Sequence, residues 1–281
     1  MPDVSPLSPQ VVQGVRQAVR NRVGAFFRNS VWIRNRTCAV CAIPIESKYT
    51  LCYQCNEAYS TWGSQIADQV LVVAYAYRRC GEHRSTRGRH QSEQHMWSYK
   101  ANYPGPGCVT DLTTMLAVAL RWHRGCAEAG VGSPWTAWTC VPSGRHSRVG
   151  EHPLLRLCLK AGLGSSSFSN PPLPYVGLTA RSSIFDRRVL QGMFSVDAPH
   201  LVAGRHVLVV EDTWVTGSSA QSAALALKQA GAAAVTIVCL ARWLREDGPA
   251  SAAEFFVALL DPYDPLRCPV NSSRCFAQQP R

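Results

Sequence analysis

Lysine is scarce. Only Lys48, Lys100, Lys160 and Lys228 occur among 29 basic residues, so a formal charge of +11 rests almost wholly on arginine. A basic surface attracts polyanions such as nucleic acid, nucleotides and pyrophosphate compounds. The same arginine and alanine bias also follows from a GC-rich genome and need not report a partner. Long apolar runs are missing: none approaches the ~20 residues needed to cross a bilayer. The first ten residues lack the basic-then-apolar pattern of a signal peptide. The expectation is a cytoplasmic protein without a membrane partner. No Walker-type Gly-Lys-Ser/Thr is present, and Gly162-Leu-Gly164 follows a helical pattern rather than a strand, against a dinucleotide loop. No internal repeat is evident.

Cysteine, by contrast, is plentiful, with twelve in 281 residues. Four fall into Cys38-Ala-Val-Cys41 and Cys52-Tyr-Gln-Cys55. Two such pairs in a chain without export signals read as metal ligands rather than disulfides. Two knuckles joined by a short hairpin give tetrahedral Zn²⁺ coordination by four thiolates, and with no open position the site is structural. Cys158 and Cys239 lie among apolar residues and read as small core side chains. Cys268 and Cys275 can pair, bind metal or do neither.

Ser8-Pro9 reads as an N-cap and first helical residue. Val11, Val12, Val15, Val19, Val23 and Phe26 then recur at helical spacing, with Arg16, Arg20 and Arg22 off the stripe. Such a helix either packs its apolar face and solvates its arginines or touches a polyanion. Gln69 to Tyr77 predicts a strand, and Cys80 to Gly107 a long loop or irregular hairpin. Within it, His83, His90 and His95 sit among Arg84, Arg87 and Arg89, at a spacing that matches no ligand motif. Asp111 to Ala129 predicts a helix stopped by Gly130. Ala137 to Val141 predicts a short strand, Pro153 to Ala161 a helix, and Leu173 to Thr179 a further strand. The division expected is a helix over residues 1–30, a cysteine module over 31–62 and a larger domain over 63–281.

The last third is the most legible. Val207 to Val210 has the continuous apolar pattern of a central parallel strand. Ser218 and Gln221 have capping-box spacing. Ala220, Ala223, Ala224, Leu227 and Ala230 form one helical face, ended by Gly231, and Val235 to Leu240 gives a second buried strand. The class predicted is therefore α/β, a parallel sheet flanked by helices. Between strand and helix stand Glu211 and Asp212, then Val215, Thr216, Gly217, Ser218 and Ser219. Ligands of open α/β sheets bind at the carboxyl ends of strands. Adjacent carboxylates can accept hydrogen bonds from vicinal ribose hydroxyls or hold Mg²⁺. A glycine, three hydroxyls and free amides at a helix N-terminus attract an anion. The combination matches a ribose carrying a 5′-phosphate.

This segment resembles the phosphoribosyl-pyrophosphate (PRPP) signature of type I phosphoribosyltransferases, where two acids precede a Thr-Gly-x-Thr/Ser-like loop. The resemblance implies that Glu211 and Asp212 engage the ribose hydroxyls, and that Val215 to Ser219 wrap the 5′-phosphate. Some members carry an acid, often assigned as a general base, where this chain has Val215. The cysteine pairs and Thr139-Cys140-Val141-Pro142-Ser143-Gly144-Arg145 are similar to the ComF-like, competence-associated branch, which implies a small zinc-ribbon-like module attached to the transferase domain. In the family the segment after the short strand contacts pyrophosphate. Pro142, Ser143, Gly144 and Arg145 are then its counterparts here, with Arg148 as a further charge, although Pro-Ser-Gly suits a surface turn equally. Tyr99-Lys100 resembles a family element from which Lys100 would reach the pyrophosphate or remain solvated. Phe185 to Val196 resembles a mobile hood, whose Arg187 and Arg188 face the acceptor or water.

Two functions follow. One is a Mg²⁺-dependent phosphoribosyltransferase acting on PRPP and an unidentified nitrogenous acceptor. The other is a non-catalytic PRPP or nucleotide binder that also holds single-stranded DNA, suggested by the basic charge, the zinc module and the lack of an acid at position 215.

Overall fold

The structure is a computed structural model that describes residues 8–142, 152–181, 186–245, 255, 259 and 261–270. The loop segment Ser143 to Arg145, Arg148, Phe185 and Cys275 lie outside the described residues, as do the side chains of His83 and Arg84.

The central sheet is built from β1 (Arg28–Asn29), β2 (Gln69–Arg78), β3 (Ala137–Cys140), β6 (His206–Trp214) and β7 (Ala234–Arg245), in the order β1-β2-β7-β6-β3. All neighbours run parallel except β1, which pairs antiparallel with β2. Strand β7 lies in the middle, and all but its last residue are buried. That is why its sequence is nearly continuously apolar: a parallel strand covered on both faces has no solvent side to pattern. The pleat still sorts the residues by face. Leu208 and Val210 of β6 join one core layer with α1 (Pro9–Val23), α5 (Pro106–Trp122) and α7 (Pro153–Lys160). Val207 and Val209 join the opposite layer with α8 (Ser218–Gln229) and the cysteine cluster. Full burial of such side chains contributes about 1.5–3 kcal/mol each. The β6-α8-β7 crossover is a parallel unit of the kind that places ligands at strand ends.

Several expectations are corrected. Residues 80–107 hold two short helices, α3 (Gly81–Arg87) and α4 (Gln91–Ser98), and the start of α5, joined by short connections at 88–90 and 99–105, rather than one long loop. Helix α4 is capped by the His90 ring, which accepts from the Ser92 amide at 3.3 Å. It is anchored by buried Met96 and followed by buried Tyr99, three residues on. The polar composition hides these anchors because only one narrow face is apolar. The helix expected over 111–129 starts earlier, at Pro106, and divides after Trp122. At the break His123 is buried, with its Nε2 against the Pro265 carbonyl at 2.9 Å. The second piece, α6 (Arg124–Val131), ends on Gly132 at φ 81°, not on Gly130.

Strand β4 is shorter than expected, Leu178–Ala180, and pairs with β5 (Phe194–Val196) in a separate two-stranded sheet; Tyr175 makes only an isolated bridge to Trp138. The arginines of α1 keep partial contact with solvent, as expected, and are paired as well: Arg16 and Arg20 reach Asp264, and the exposed Arg22 reaches Asp111. Ser218 is not a capping-box residue. Gly217 occupies the N-cap, and Gln221 turns away to accept the Ala67 amide at 3.0 Å.

Candidate phosphate and ribose site

Strand β6 runs further than its apolar run, so Glu211 and Asp212 are strand residues within the sheet, with Glu211 opposite Cys239 of β7. Both are buried. The chain then turns through Val215 to Gly217 into α8. The turn is fixed from below by Arg242, buried on β7, whose guanidinium donates to the Trp214 carbonyl at 2.7 Å and the Val215 carbonyl at 2.6 Å. With those carbonyls held inward, the loop can present amides and hydroxyls outward. Gly217 sits at φ 83°, and a Cβ there would come 2.1 Å from the indole of Trp214. Only glycine fits on both counts. The first helical bond is from the Gln221 amide to the Gly217 carbonyl, 2.9 Å. The amides ahead of it have no intrahelical partner, that of Ser218 donating only to the Thr216 hydroxyl at 3.4 Å, and they carry the positive end of the helix dipole. Thr216 donates its hydroxyl to Ser218 Oγ at 3.1 Å, and Ser218 donates to the Asp186 carbonyl at 2.9 Å.

A cleft of about 530 Å³ joins this loop to the acidic pair. Lys100, Pro142, His152 and Arg187 complete its walls. The structure thus brings together every predicted residue of the phosphate loop, both acids, Lys100 and Pro142. Arg188 instead pairs with Asp186 at 3.0 Å.

The two acids are electrostatically unequal. The Asp212 Oδ2 receives the Tyr99 hydroxyl and the Lys100 ammonium, and Oδ1 receives the Thr213 hydroxyl at 2.9 Å. Burial pushes the Asp212 carboxyl up, but the Lys100 charge and these hydrogen bonds outweigh it and hold it at about 2. Burial, and then the charge of Asp212, push Glu211 well above the ordinary carboxylate range. Burial likewise raises the Tyr99 phenol, so it remains a donor. The two carboxyls are therefore driven apart, with Asp212 the more readily ionised. A carboxyl with a raised folded-state pKa gives stability below its unfolded pKa that is lost as pH rises. Glu211→Gln, which is neutral at every pH, should therefore raise the melting temperature, and more at pH 8 than at pH 5; equal effects at both, in paired thermal melts, contradict this charge assignment.

The sequence pairs Tyr99 with Lys100 in one element but gives the phenol no role; its place beside Asp212, like the positions of Thr213 and His152 on the cleft wall, comes from the structure. His152, just ahead of the proline that opens α7, carries no sequence signal.

The cysteines form a second centre. The amide of Cys38 donates to the Ile43 carbonyl at 2.8 Å and the Ala42 amide to the Cys38 carbonyl at 3.0 Å, closing a tight turn with Ala42 at φ 56°. The second pair is not another knuckle, which corrects the ribbon-like hairpin: Cys52 caps α2 (Tyr53–Trp62), and Cys55 lies in its first turn. All four sulfurs lie within 4.8 Å of one another, with Cys41 and Cys52 3.7 Å apart. A tetrahedron with Zn–S bonds of ~2.3 Å has edges of about 3.8 Å. The four residues fit a structural metal ion such as zinc. Cys38, Cys41 and Cys55 belong to the same core layer as β6 and α8.

His90 and His95 belong to no metal-ligand cluster among the described residues. His90 caps α4, and His95 Nε2 lies 3.1 Å from Asp111. Cys268 is buried, and its sulfur accepts the Val270 amide at 3.4 Å. Among the described residues no helix is long and apolar enough to cross a membrane. No family model matches the sequence, and no curated protein matches it.

Proposed function

We propose that this protein binds PRPP in the cleft and transfers its phosphoribosyl group to a nitrogenous acceptor. The observation that carries the reading is the convergence, at the carboxyl end of one buried parallel strand, of an acidic pair and a glycine-pinned anion nest. The 5′-phosphate accepts from the amides of Thr216 to Ser219 and from the Ser219 hydroxyl, and the Thr216 and Ser218 hydroxyls join once they turn from each other and from the Asp186 carbonyl. The ribose hydroxyls donate to Asp212 and Glu211. The pyrophosphate lies toward Pro142 and Lys100, with Ser143 to Arg145 next in the chain. As the acceptor nitrogen bonds to the anomeric carbon, the bond to pyrophosphate breaks, and Lys100 supports the charge that leaves. Val215 accepts no proton, so the acceptor's proton passes to the departing phosphate or to water.

Mg²⁺ fits this site as the companion of pyrophosphate rather than as a resident ion. The Asp212 oxygens already hold Lys100, Tyr99 and Thr213, whereas Mg²⁺ is commonly held by one or two carboxylates, substrate phosphates and waters. The four cysteine thiolates would hold a structural zinc ion.

Asp212→Asn removes the charge that orients Lys100 and accepts from ribose. Charged hydrogen bonds contribute about 1.5–3 kcal/mol each, so PRPP affinity should fall about 100-fold in a protein with an unchanged circular dichroism spectrum. Wild-type affinity in that variant removes Asp212 from the site.

A single-stranded DNA role has its own observation: Arg89 lies over the exposed Trp97 ring at 5.6 Å, an arrangement able to stack a base. Arg89→Ala should then weaken retention on single-stranded DNA and flatten its salt dependence; retention indifferent to salt and to Arg89 rules that role out.

A further inference from the structure

One rung of the central sheet joins the cysteine centre to the phosphate loop. Tyr75 of β2, Arg242 of β7 and Trp214 of β6 stand in register, side by side, and all three are buried. Neighbours in register point to one face of a sheet. At one end of the rung the Tyr75 hydroxyl donates to the Ala42 carbonyl at 2.6 Å, in the tight turn that carries Cys38 and Cys41. At the other end the Trp214 indole lies against Gly217 of the loop, where a Cβ would come 2.1 Å from it. Trp214 also shares a core layer with Cys38, Cys41 and Cys55. Cys55, Trp214, Thr216 and Ser218 line a common cavity of about 250 Å³.

Arg242 occupies the middle of the rung. Its guanidinium donates to the Trp214 and Val215 carbonyls at 2.7 and 2.6 Å. Among the described residues no carboxylate pairs with it, and its Nε is buried without a partner. A guanidinium cannot shed its proton, so a buried one needs a counter-charge. Four thiolates around one Zn²⁺ carry roughly two net negative charges, on the same face of the sheet. Arg242 and the cluster lie within electrostatic reach: burial foremost pushes the Cys41 thiol up, and the Arg242 charge works against it.

We propose that the metal held by the four cysteines controls the shape of the phosphate loop through this rung, with Arg242 as the positioning residue. The two donor bonds of Arg242 turn the Trp214 and Val215 carbonyls inward and leave the loop amides to face the cleft. The thiolate charge on one side and the Tyr75 bond to the cysteine turn on the other keep the rung in place. Without the ion, the Cys38–Cys41 turn and α2 lose their tie, and the loop loosens at Trp214. Such coupling is reciprocal: a ligand that orders the loop must raise the affinity for the metal. The coupling holds whatever the loop binds; only its consequence for a phosphorylated ribose rests on the function proposed above.

Hydrogen exchange tests this without any ligand. The amides of residues 215–219 are followed in the full-length, zinc-loaded protein and again after chelation, well below the melting temperature. Helix α5, which packs on the opposite face of the sheet, is the internal reference. Loop exchange should quicken about 10-fold on chelation while α5 stays as it was. Arg242→Met should show the fast loop with zinc still bound, and Arg242→Lys, which keeps the charge, should fall between Met and wild type. Loop exchange indifferent to chelation overturns the proposal. So does a loop that quickens together with α5, because the ion then holds the whole fold. The wild-type comparison decides alone if Arg242→Met does not fold. Competition for zinc against a chromophoric chelator, with and without ribose 5-phosphate, adds a second arm. Ribose 5-phosphate that binds by calorimetry yet leaves zinc affinity unchanged also overturns the coupling. Ribose 5-phosphate that does not bind sinks the ligand reading instead, and the exchange result then decides the coupling.

Discussion

Replacing Cys41 by serine should lower the melting temperature by about 10 °C or more and release the bound metal. Cys41 is fully buried, and its sulfur is one of four that converge on a single point. Structural zinc contributes apparent binding free energies of about 10–16 kcal/mol in small zinc-binding peptides, comparable with the whole stability of a typical domain. Here the ion would join a tight turn at Cys38–Cys41 to the first turn of α2, two segments with few other mutual ties. Without it, buried thiols at close range must share protons: hydrogen bonds from its three neighbours drive Cys38 down, and hydrogen bonds from them drive Cys55 up. The loss should spread beyond the module, because Cys38, Cys41 and Cys55 pack with Val72, Val209 and Trp214. Tyr75 also donates to the Ala42 carbonyl at 2.6 Å. Thermal melts with and without a strong chelator, alongside a zinc assay expected to find one ion per chain, check this. An unchanged melt in Cys41→Ser, or a metal content of zero in protein prepared without chelator, contradicts a structural zinc site.

Gly217→Ala should reduce affinity for a phosphorylated ribose by about 100-fold or more. A left-handed conformation costs a non-glycine residue roughly 1–2 kcal/mol before any contact is counted. The added methyl would also meet three atoms of the Trp214 ring, at 2.1, 2.3 and 2.8 Å. Trp214 is among the largest fully buried side chains and cannot simply swing out. The loop must therefore shift, and the Arg242 bonds to the Trp214 and Val215 carbonyls shift with it. Trp214→Leu in the same chain should recover part of the loss by removing the clash while leaving the backbone strain. Titration with ribose 5-phosphate measures both variants; an unimpaired Gly217→Ala protein means that the loop does not hold the phosphate.

What the sequence made legible was whatever short-range chemistry decides. Val207 to Val210 and Val235 to Leu240 announce buried parallel strands because both faces are covered. The cysteine spacing locates the metal ligands, since four thiolates at that separation have few other uses. The cleft's acids and its Thr-Gly-Ser-Ser loop are also plain, being contiguous. The illegible part is long-range. Nothing near Tyr99 or Lys100 says that both will close on Asp212, more than a hundred residues away. Asp264 gives no local sign that it will collect Arg16 and Arg20. The helices α3 and α4 are short and polar, so their period was lost beneath histidine and arginine, and α5 gave no warning of its break because His123 fits a helical pattern until its ring finds the Pro265 carbonyl. The Ser218–Gln221 spacing misled for the same reason: Gln221 found a better partner in the Ala67 amide across the fold.

The central claim is that the cleft recognises a phosphorylated, pyrophosphorylated ribose. Calorimetric titration of the zinc-loaded protein with PRPP, with and without Mg²⁺, tests it most directly. Saturable binding at one site per chain is expected, tighter with Mg²⁺ and stronger than for ribose 5-phosphate. Absence of binding in both conditions, by a folded protein that retains its zinc, would contradict it.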